Sequence, residues 1–396
     1  TLLASSAASD VYKRQVILFD RYETAVFTQK GRQKTMLEKI NEINVWDRLR
    51  ACKKPIVLYG MGNGAEQILS RFKQLGIAWD GIFASDGFVR GQSFCGKKVR
   101  RYDEICQEYG DFVIVLGFAS ARPEVLANVR ALAEKHTLFA PDVPVCGGGL
   151  FTRDYVAEHN DAFDRGYDLL ADERSRRDYL SVLHFKVSGK IDYLLSCFAE
   201  KKDIYKNILH LSESEAVADL GAYTGDTVQE ILCATGGRYK AIYALEPNAK
   251  SFQKLQKNTA GLQNVQLFPL AAWDKNETLL FGKTASRGAH AAQNGLPVQA
   301  VRLDDILDAP VTLLKMDVEG AEARALAGAA ETIRRHHPKL YVCAYHRNED
   351  LFALPLQISR LGRYNIYFRH TPYIPAWESN FYCTPQPSET ASFQKW

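Results

Sequence analysis

The stretch EAVADLGAYTGDTVQEIL, residues 215–232, passes from an apolar run through a glycine-bearing bend into a helical repeat. Glu215 to Leu220 reads as a buried strand, Gly221 and Gly225 bracket a tight turn, and Val228, Ile231 and Leu232 recur at helical spacing. Strand, glycine turn and helix make the first unit of a parallel sheet covered by helices, and such sheets keep their ligands outside the carboxyl ends of the strands. The alternation continues through KAIYALEPNAKSFQKLQKN (240–258), VQLFPLAAW (265–273), VTLLKMDVEGAEARALAGAAETI (311–333) and KLYVCAYHRNEDLFALPLQISRL (339–361). It closes on two short strands, YNIYFRH (364–370) and ESNFYC (378–383), joined by TPYIPAW. Residues 212–396 therefore read as one doubly wound domain.

A smaller unit precedes it. PIVLYGMGNGAEQILSRF (55–72), WDGIFASD (79–86) and DFVIVLGFAS (111–120) predict three more strands, with a helix starting near Arg122 that carries Pro123 in its first turn. Ahead of them KTMLEKINEINVWDRLRAC (34–52) sets Leu37, Ile40, Ile43, Trp46 and Leu49 at steps of three, the stripe of one amphipathic helix. Between 142 and 211 the texture is charged, aromatic and helical. The fold class expected is α/β: two doubly wound Rossmann-like domains, 34–141 and 212–396, joined by a helical connector at 142–211. Residues 1–15, TLLASSAASDVYKRQ, read as a non-native leader outside the fold.

Composition narrows the function classes. The chain has 396 residues, 46% of them hydrophobic, enough for two cores, and 50 Lys plus Arg against 46 Asp plus Glu give a net charge of +4 spread along the chain. That distribution points to neither nucleic acid nor a membrane surface, so the expected partner is a small molecule or another protein; a sugar or glycan substrate is expected only from the family resemblance given below and the possible nucleotide site. Eight cysteines show no C-x-x-C pair and no metal spacing, which reads as reduced, structural thiols of a cytoplasmic protein. No apolar run approaches the roughly 18 to 20 residues that cross a bilayer.

The two glycine turns differ in charge. GMGNGA (60–65) satisfies G-x-G-x-x-G/A through Gly60, Gly62 and Ala65, with Asn63 and Gly64 between and Asp86 where a ribose-binding acid would stand. Tyr59 precedes it, so its helix start is open to a phosphate, and a nucleotide or nucleotide-sugar is the ligand expected there; a glycine turn kept for strand–helix packing is the other reading. DLGAYTGD (219–226) begins and ends on an acid. Carboxylates there oppose a pyrophosphate and favour a cation, since unit charges about 4 Å apart interact by roughly 4 kcal/mol at an effective dielectric near 20. S-adenosyl-L-methionine has that character: an ammonium, a sulfonium and a ribose whose hydroxyls Glu246 could accept. Taken singly, Asp226 could also be a helix N-cap.

DLGAYTGDT, YALEPN and KMDVEGAE, in that order, resemble the FkbM family of S-adenosylmethionine-dependent methyltransferases, with Tyr223 a departure at the tip of the turn. The resemblance implies a class I methyltransferase fold with an antiparallel last strand. It implies cofactor contacts at Asp219, Gly221, Gly225 and Glu246, with Ala222, Asp226, Thr227, Pro247 and Asp317 beside them. Ala271, Ala272 and Trp273 would wall the adenine pocket. Residues 35–211 resemble the Rossmann-like N-terminal half and connector of a subset of these proteins, related to nucleotide-sugar-binding modules.

At the acceptor end, methyl transfer needs alignment and a place for a proton. Asp317 and His346 fall at the mouths of neighbouring strands, so His346 is the expected general base, with Asp317 orienting it or holding a substrate hydroxyl. Glu319 is a substrate candidate, and Glu322 is expected to pair with Lys315 or Arg324. Arg369, His370 and Glu378 flank the last loop, and Ser286, Arg287 and His290 lie in the polar segment KTASRGAHAAQNG; each set is either a substrate contact or a solvated loop. Asp317, Glu319 and His346 could instead bind a divalent metal, although the carboxylates have an adequate role without one. Two other functions compete with methyl transfer: a dinucleotide-dependent oxidoreductase working from GMGNGA, and a binding protein for nucleotide or nucleotide-sugar.

Overall fold

The computed structural model describes residues 34–281 and 295–387. Residues 1–15 and the candidates Ser286, Arg287 and His290 lie outside the described residues. In the N-terminal unit, β1 (Ile56–Tyr59), β2 (Gly81–Phe83), β3 (Val113–Leu116) and β4 (Thr137–Phe139) form a parallel sheet in the order β2-β1-β3-β4. Both faces of β1 and β3 are buried, which is why IVLY and VIVL are continuously apolar rather than alternating. Helices α1 (Asn63–Leu75), α2 (Tyr102–Tyr109) and α3 (Pro123–Lys135) cover it.

The lead-in is two short helices, Met36–Lys39 and Val45–Arg50, instead of the single one expected. Thr35 and Glu38 form a capping box on the first, and the Asn44 side chain starts the second by accepting from the amide of Trp46. The break turns Ile43 out, leaving it 57% exposed, while Met36, Ile40, Val45, Trp46 and Leu49 are buried. Steps of three drift around a 3.6-residue helix, so the stripe could not stay on one face.

The C-terminal unit has a seven-stranded sheet. Its strands are β5 (Ala216–Leu220), β6 (Ala241–Leu245), β7 (Val265–Phe268), β11 (Leu313–Met316), β12 (Lys339–Cys343), β13 (Tyr364–His370) and β14 (Ser379–Pro385), in the order β13-β14-β12-β11-β5-β6-β7. The last strand, β14, is antiparallel to both neighbours and the rest of the sheet from β12 to β7 is parallel. Residues 265–273 do not form one strand: β8 (Ala271–Ala272) leaves the main sheet and joins β9 (Glu277–Phe281) and β10 (Leu296–Val301) in a separate three-stranded sheet.

Between the sheets run α4 (Arg153–Glu158), α5 (Asn160–Asp168), α6 (Glu173–Ser188), α7 (Ile191–Cys197) and α8 (Lys201–Asn207). One apolar cluster runs through Val57 and Leu116 of the first sheet, Phe163, Tyr179 and Leu183 of the connector, and Leu314 and Phe381 of the second. The connector also covers the edge strand β13, through bridges Leu170–Ile366 and Phe198–His370, so that edge is not left as a pairing surface. A second seam joins the ligand-side ends of the two sheets: Ser120, past β3, pairs antiparallel with Ile374 in the loop before β14.

Lys186 of α6 and Asp142 at the connector's start form an ion pair at 2.7 Å, and both are more than nine-tenths buried. Breaking such a pair leaves an uncompensated buried charge, at about 3–5 kcal/mol. Asp142→Ala should therefore lower the unfolding free energy measured in urea by that amount, and Asp142→Leu combined with Lys186→Met should recover most of it. A single variant as stable as the parent would show that the pair contributes nothing to holding the connector.

Candidate functional site

The second sheet's carboxyl edge is built around one ammonium. Lys315, alone among apolar residues in β11, is 3% exposed; its Nζ stands 3.0 Å from Asp219 Oδ1, donates to the Gly221 carbonyl at 2.9 Å and reaches Asp317 at 4.0 Å. Register puts it there, since β11 pairs with β5 so that Lys315 lies opposite Asp219. Burial works against the Lys315 charge, but Asp219 and then Asp317 hold its pKa above the ordinary value. Burial likewise pushes the Asp219 carboxyl up, opposed by Lys315. Asp219 is thus paired within the protein and not left free to meet a ligand's cation, which corrects the expectation for it. Both Asp219 oxygens are buried, and the Lys315 ammonium is the cation that faces them.

After Asp219 the chain turns through Gly221 (φ 81), Tyr223 (φ 47) and Gly225 (φ 88) into α9 (Asp226–Ala234). A side chain at 221 would place its Cβ 1.8 Å from the Asp317 carbonyl oxygen, so only glycine lets this turn lie against the end of β11. Ala222 and Thr227 are buried; Asp226 is the exposed first helical residue and does not cap, because Gly225 occupies the cap position. Glu246, at the tip of β6, closes the turn: its Oε2 accepts from the Tyr223 amide at 2.9 Å and its Oε1 from the Asn248 amide at 2.7 Å. Burial pushes its pKa up to about 7 despite those two amides. Pro247 follows, partly exposed. Ala271 and Ala272 are buried, but the Trp273 indole is spoken for, donating to Glu277 at 2.8 Å under the Arg324 guanidinium.

The mouth beside this turn holds His346. Its Nδ1 lies 2.9 Å from Glu322 Oε1, and its Nε2 lies 3.5 Å from both Asp317 Oδ1 and Glu319 Oε2. Glu322 is fully buried, opens α10 (Glu322–Gly328), and accepts from the Val318 amide at 2.9 Å; its Oε2 has no partner. The expected pairing of Glu322 with Lys315 or Arg324 is wrong on both counts, since Lys315 is taken by Asp219 and Arg324 pairs with Asp274. Burial disfavours a charged His346, yet Glu322, then Asp317 and Glu319, raise its pKa to about 10. For Asp317 burial is outweighed by Lys315 and His346, which hold its carboxyl below the usual range; the Tyr345 hydroxyl also donates to it at 3.1 Å.

Asp317, Glu322 and His346 each bring one donor atom within 4.8 Å of the others. Glu322 faces the imidazole at Nδ1 and Asp317 at Nε2, so the two carboxylates stand on opposite nitrogens of the ring.

Sequence reasoning placed other candidates less well. Arg369 is 4% exposed and bonds Asp172 at 2.8 Å and Ser175 at 2.7 Å, and His370 is fully buried between the Ser379 hydroxyl at 3.0 Å and the Tyr373 carbonyl at 2.9 Å. Burial pushes His370 down to about 4. Both tie β13 to its neighbours and neither reaches the mouth as a substrate contact. Glu378 does stay at the site: it feels the charge of Asp317 and stands 3.5 Å from Lys201. Tyr223, Glu319 and Glu378 are three of the seven described non-glycine residues with positive φ, so backbone strain collects at this mouth.

Sequence reasoning misassigned the partners of Lys315 and Glu322 and missed Cys146. A lysine inside an apolar strand was the available signal for the first, because a buried ammonium must be paired. Cys146 carries none: the connector brings it in, its amide donating to the His346 carbonyl at 3.3 Å and its thiol to the Glu319 carbonyl at 3.1 Å.

At the first glycine turn the structure favours packing. Gly60 (φ 97) has the Phe118 ring where a Cβ would stand, 2.3 Å away, and the Tyr59 hydroxyl bonds Ser85 and Asn128. Asp86 sits in an exposed 3₁₀ turn three residues beyond β2, not at the strand's end. Gly62, Asn63 and Gly64 lead into α1 with no side-chain cap, and nothing lies within 4 Å of a Cβ built at Gly62.

Residues 219–368 match the family model described as the methyltransferase FkbM domain. A solved structure of methyltransferase FkbM from Methylobacillus flagellatus KT is 20% identical, covers 93% of this chain and 98% of its own, and superposes with a TM-score of 0.63; it therefore shares the fold of both units and the connector. An rRNA methylase from Streptococcus thermophilus (13% identity, 47% and 95% covered, TM-score 0.32) and Aeropyrum pernix fibrillarin in complex with natively bound S-adenosyl-L-methionine (14%, 44% and 68%, 0.30) are more distant. No curated protein matches the chain. No described helix is long and apolar enough to cross a membrane. The Asp-Gly-Gly turn, Glu246 and the acidic strand mouth all fall inside the matched segment, so residues 219–368 of this chain form a methyltransferase FkbM domain.

Proposed function

We propose that this methyltransferase uses S-adenosyl-L-methionine to methylate a hydroxyl of a sugar, glycan or other polar metabolite. The observation that carries the cofactor is Glu246: each of its oxygens takes one backbone amide and keeps a lone pair for a ribose hydroxyl, on the same turn that Gly221 and Gly225 strip of side chains. With Asp219 neutralised by Lys315, the exposed acid at Asp226 is what makes the start of that helix unfavourable to a phosphate. Bound there, the cofactor would supply a methyl group already activated on a sulfonium. Ala222, Thr227, Pro247, Ala271 and Ala272 would line its seat.

At the acceptor end, Asp317 would hold the substrate hydroxyl and His346 Nε2 would take its proton, with Glu319 and Glu378 accepting neighbouring hydroxyls. Carboxylates are acceptor-only, so three of them at one mouth suit a hydroxyl-rich or amine-bearing acceptor and oppose an anionic one. An oxidoreductase working from the first glycine turn is not favoured, because Phe118 covers Gly60 and the matched family transfers methyl groups. A nucleotide or nucleotide-sugar at that turn gains no support from the comparisons.

Titration calorimetry with S-adenosyl-L-methionine tests the cofactor. Glu246→Gln should weaken binding about 10- to 100-fold, the loss of hydrogen bonds to a charged acceptor. Glu246 titrates at about 7 and only its carboxylate accepts two hydroxyls, so affinity should be full at pH 8.5 and fall as pH drops below 7. An unchanged Kd from pH 6 to 8.5 would remove Glu246 from the contact.

For the base, His346→Gln should keep cofactor affinity and lower kcat roughly 10²- to 10⁴-fold, measured on whichever member of a sugar and nucleotide-sugar panel is methylated. Lost affinity with intact turnover would move His346 into the cofactor seat.

A further inference from the structure

The carboxylates of the mouth only accept hydrogen bonds, whereas a hydroxyl both donates and accepts. Asp317, Glu319 and Glu378 by themselves would hold an ammonium at least as well as a hydroxyl, since the ammonium brings both N–H donors and opposite charge. The two are told apart only where a donor or a cation stands beside the acids. Among the described residues, the cation within ion-pair distance of Glu378 is Lys201.

Lys201 opens α8 in the connector. Its Nζ donates to Glu230 Oε1 at 3.0 Å and stands 3.5 Å from Glu378 Oε2. Glu230 lies one turn into α9, the helix that begins at the Gly225 turn, and the Tyr205 hydroxyl, one turn further along α8, donates to its other oxygen at 2.7 Å. Tyr205 thus steadies Glu230 and Glu230 steadies the ammonium, which keeps a long, flexible side chain in one place. Glu378 is fixed from its own side: its backbone is left-handed (φ 68), and its carbonyl accepts from the Thr371 amide at 3.1 Å. Burial disfavours the Lys201 charge, but Glu378 and Glu230 outweigh it and hold the pKa above the ordinary lysine value. Neither partner is sealed in, the Lys201 side chain being 32% exposed and that of Glu378 25%. An ammonium has three N–H donors and a carboxylate about four acceptor positions, so the contacts within the protein leave room on both for one more group.

We propose that Lys201 and Glu378 form a hydroxyl subsite at that corner of the mouth, where a second hydroxyl of the acceptor accepts from Lys201 Nζ and donates to Glu378. This rests on the methyl-transfer reading above and narrows its acceptor to a polyhydroxylated molecule such as a sugar. A deoxy analogue leaves the ammonium and the carboxylate without their shared partner. An amino analogue, charged at pH 7, brings a second cation against Lys201.

The whole chain, saturated with S-adenosyl-L-methionine at pH 7, is tested by the release of S-adenosyl-L-homocysteine on a panel of sugars and nucleotide-sugars, each also offered in monodeoxy and amino-deoxy forms. For a methylated member, loss of one hydroxyl other than the methylated one should cost about 10- to 100-fold in kcat/KM, the weight of hydrogen bonds to charged groups, and an amino group in its place should cost at least as much. In Lys201→Met the deoxy penalty should shrink and the amino form should overtake the hydroxyl, with the calorimetric Kd for S-adenosyl-L-methionine unchanged; Lys201→Arg should restore part of the hydroxyl preference. A parent chain that methylates every such deoxy form as well as its hydroxyl counterpart would overturn the subsite and leave methyl transfer standing, and this arm needs no variant to fold. A folded Lys201→Met that loses the same factor on hydroxy, deoxy and amino forms would reduce Lys201 to a structural role and end the proposal. No methylated member, in a chain that binds S-adenosyl-L-methionine, would overturn the sugar acceptor and the subsite together. Failure to bind that carrier at all would overturn the methyltransferase reading itself.

Discussion

The buried ammonium of Lys315 is the constraint on which the rest of the site depends. It neutralises Asp219, holds the Gly221 carbonyl and reaches Asp317, so two neighbouring strand ends are fastened by one side chain that water does not reach. Without a cation at that point two carboxylates would face each other in a low-dielectric interior, where neither could be ionised cheaply. With it, Asp317 stays charged and available on its outer side, and the glycine turn lies against the strand that bears it. The glycine turn and the acidic strand mouth are therefore one assembly rather than two sites set side by side.

Around that assembly the molecule uses its whole length. The connector fills the space between the two sheets with aromatic side chains, covers the edge of β13, and contributes Cys146 and Gly149 to the backbone that carries Glu319, His346 and Asn348. The N-terminal sheet holds the loop before β14 through Ser120 and Ile374. That loop ends at Glu378, whose left-handed backbone is sustained by its surroundings. The first unit thus shapes the acceptor mouth whether or not its own glycine turn binds anything.

On the proposed reading, the charge pattern of the mouth gives a direction of selectivity. Asp317, Glu319 and Glu378 make it acidic, and Lys201, close to Glu378, is shared with Glu230. Hydroxyls and ammonium groups satisfy such a surface. A phosphate or carboxylate near the methylated centre would meet like charge, a cost of order kcal/mol at these separations.

Much of this was legible in the chain. Alternating apolar runs and glycine turns located both sheets, since a parallel strand buried on both faces leaves a local, continuous signature. The Asp219–Glu246–Asp317 series marked the strand ends that face a ligand, because acids at a strand's mouth are local features too. Pairings were a different matter. That Lys315 takes Asp219 and leaves Glu322 to His346, that Arg369 and His370 turn inward, and that Phe118 closes over Gly60 all follow from register and from which helix packs behind which strand. The sequence by itself determined the fold class, the order of its motifs and the acidic character of the crevice. Only the tertiary structure decided which of those acids are already neutralised and which remain for chemistry, because a charge's partner is set by distances of a few ångströms between segments far apart in the chain.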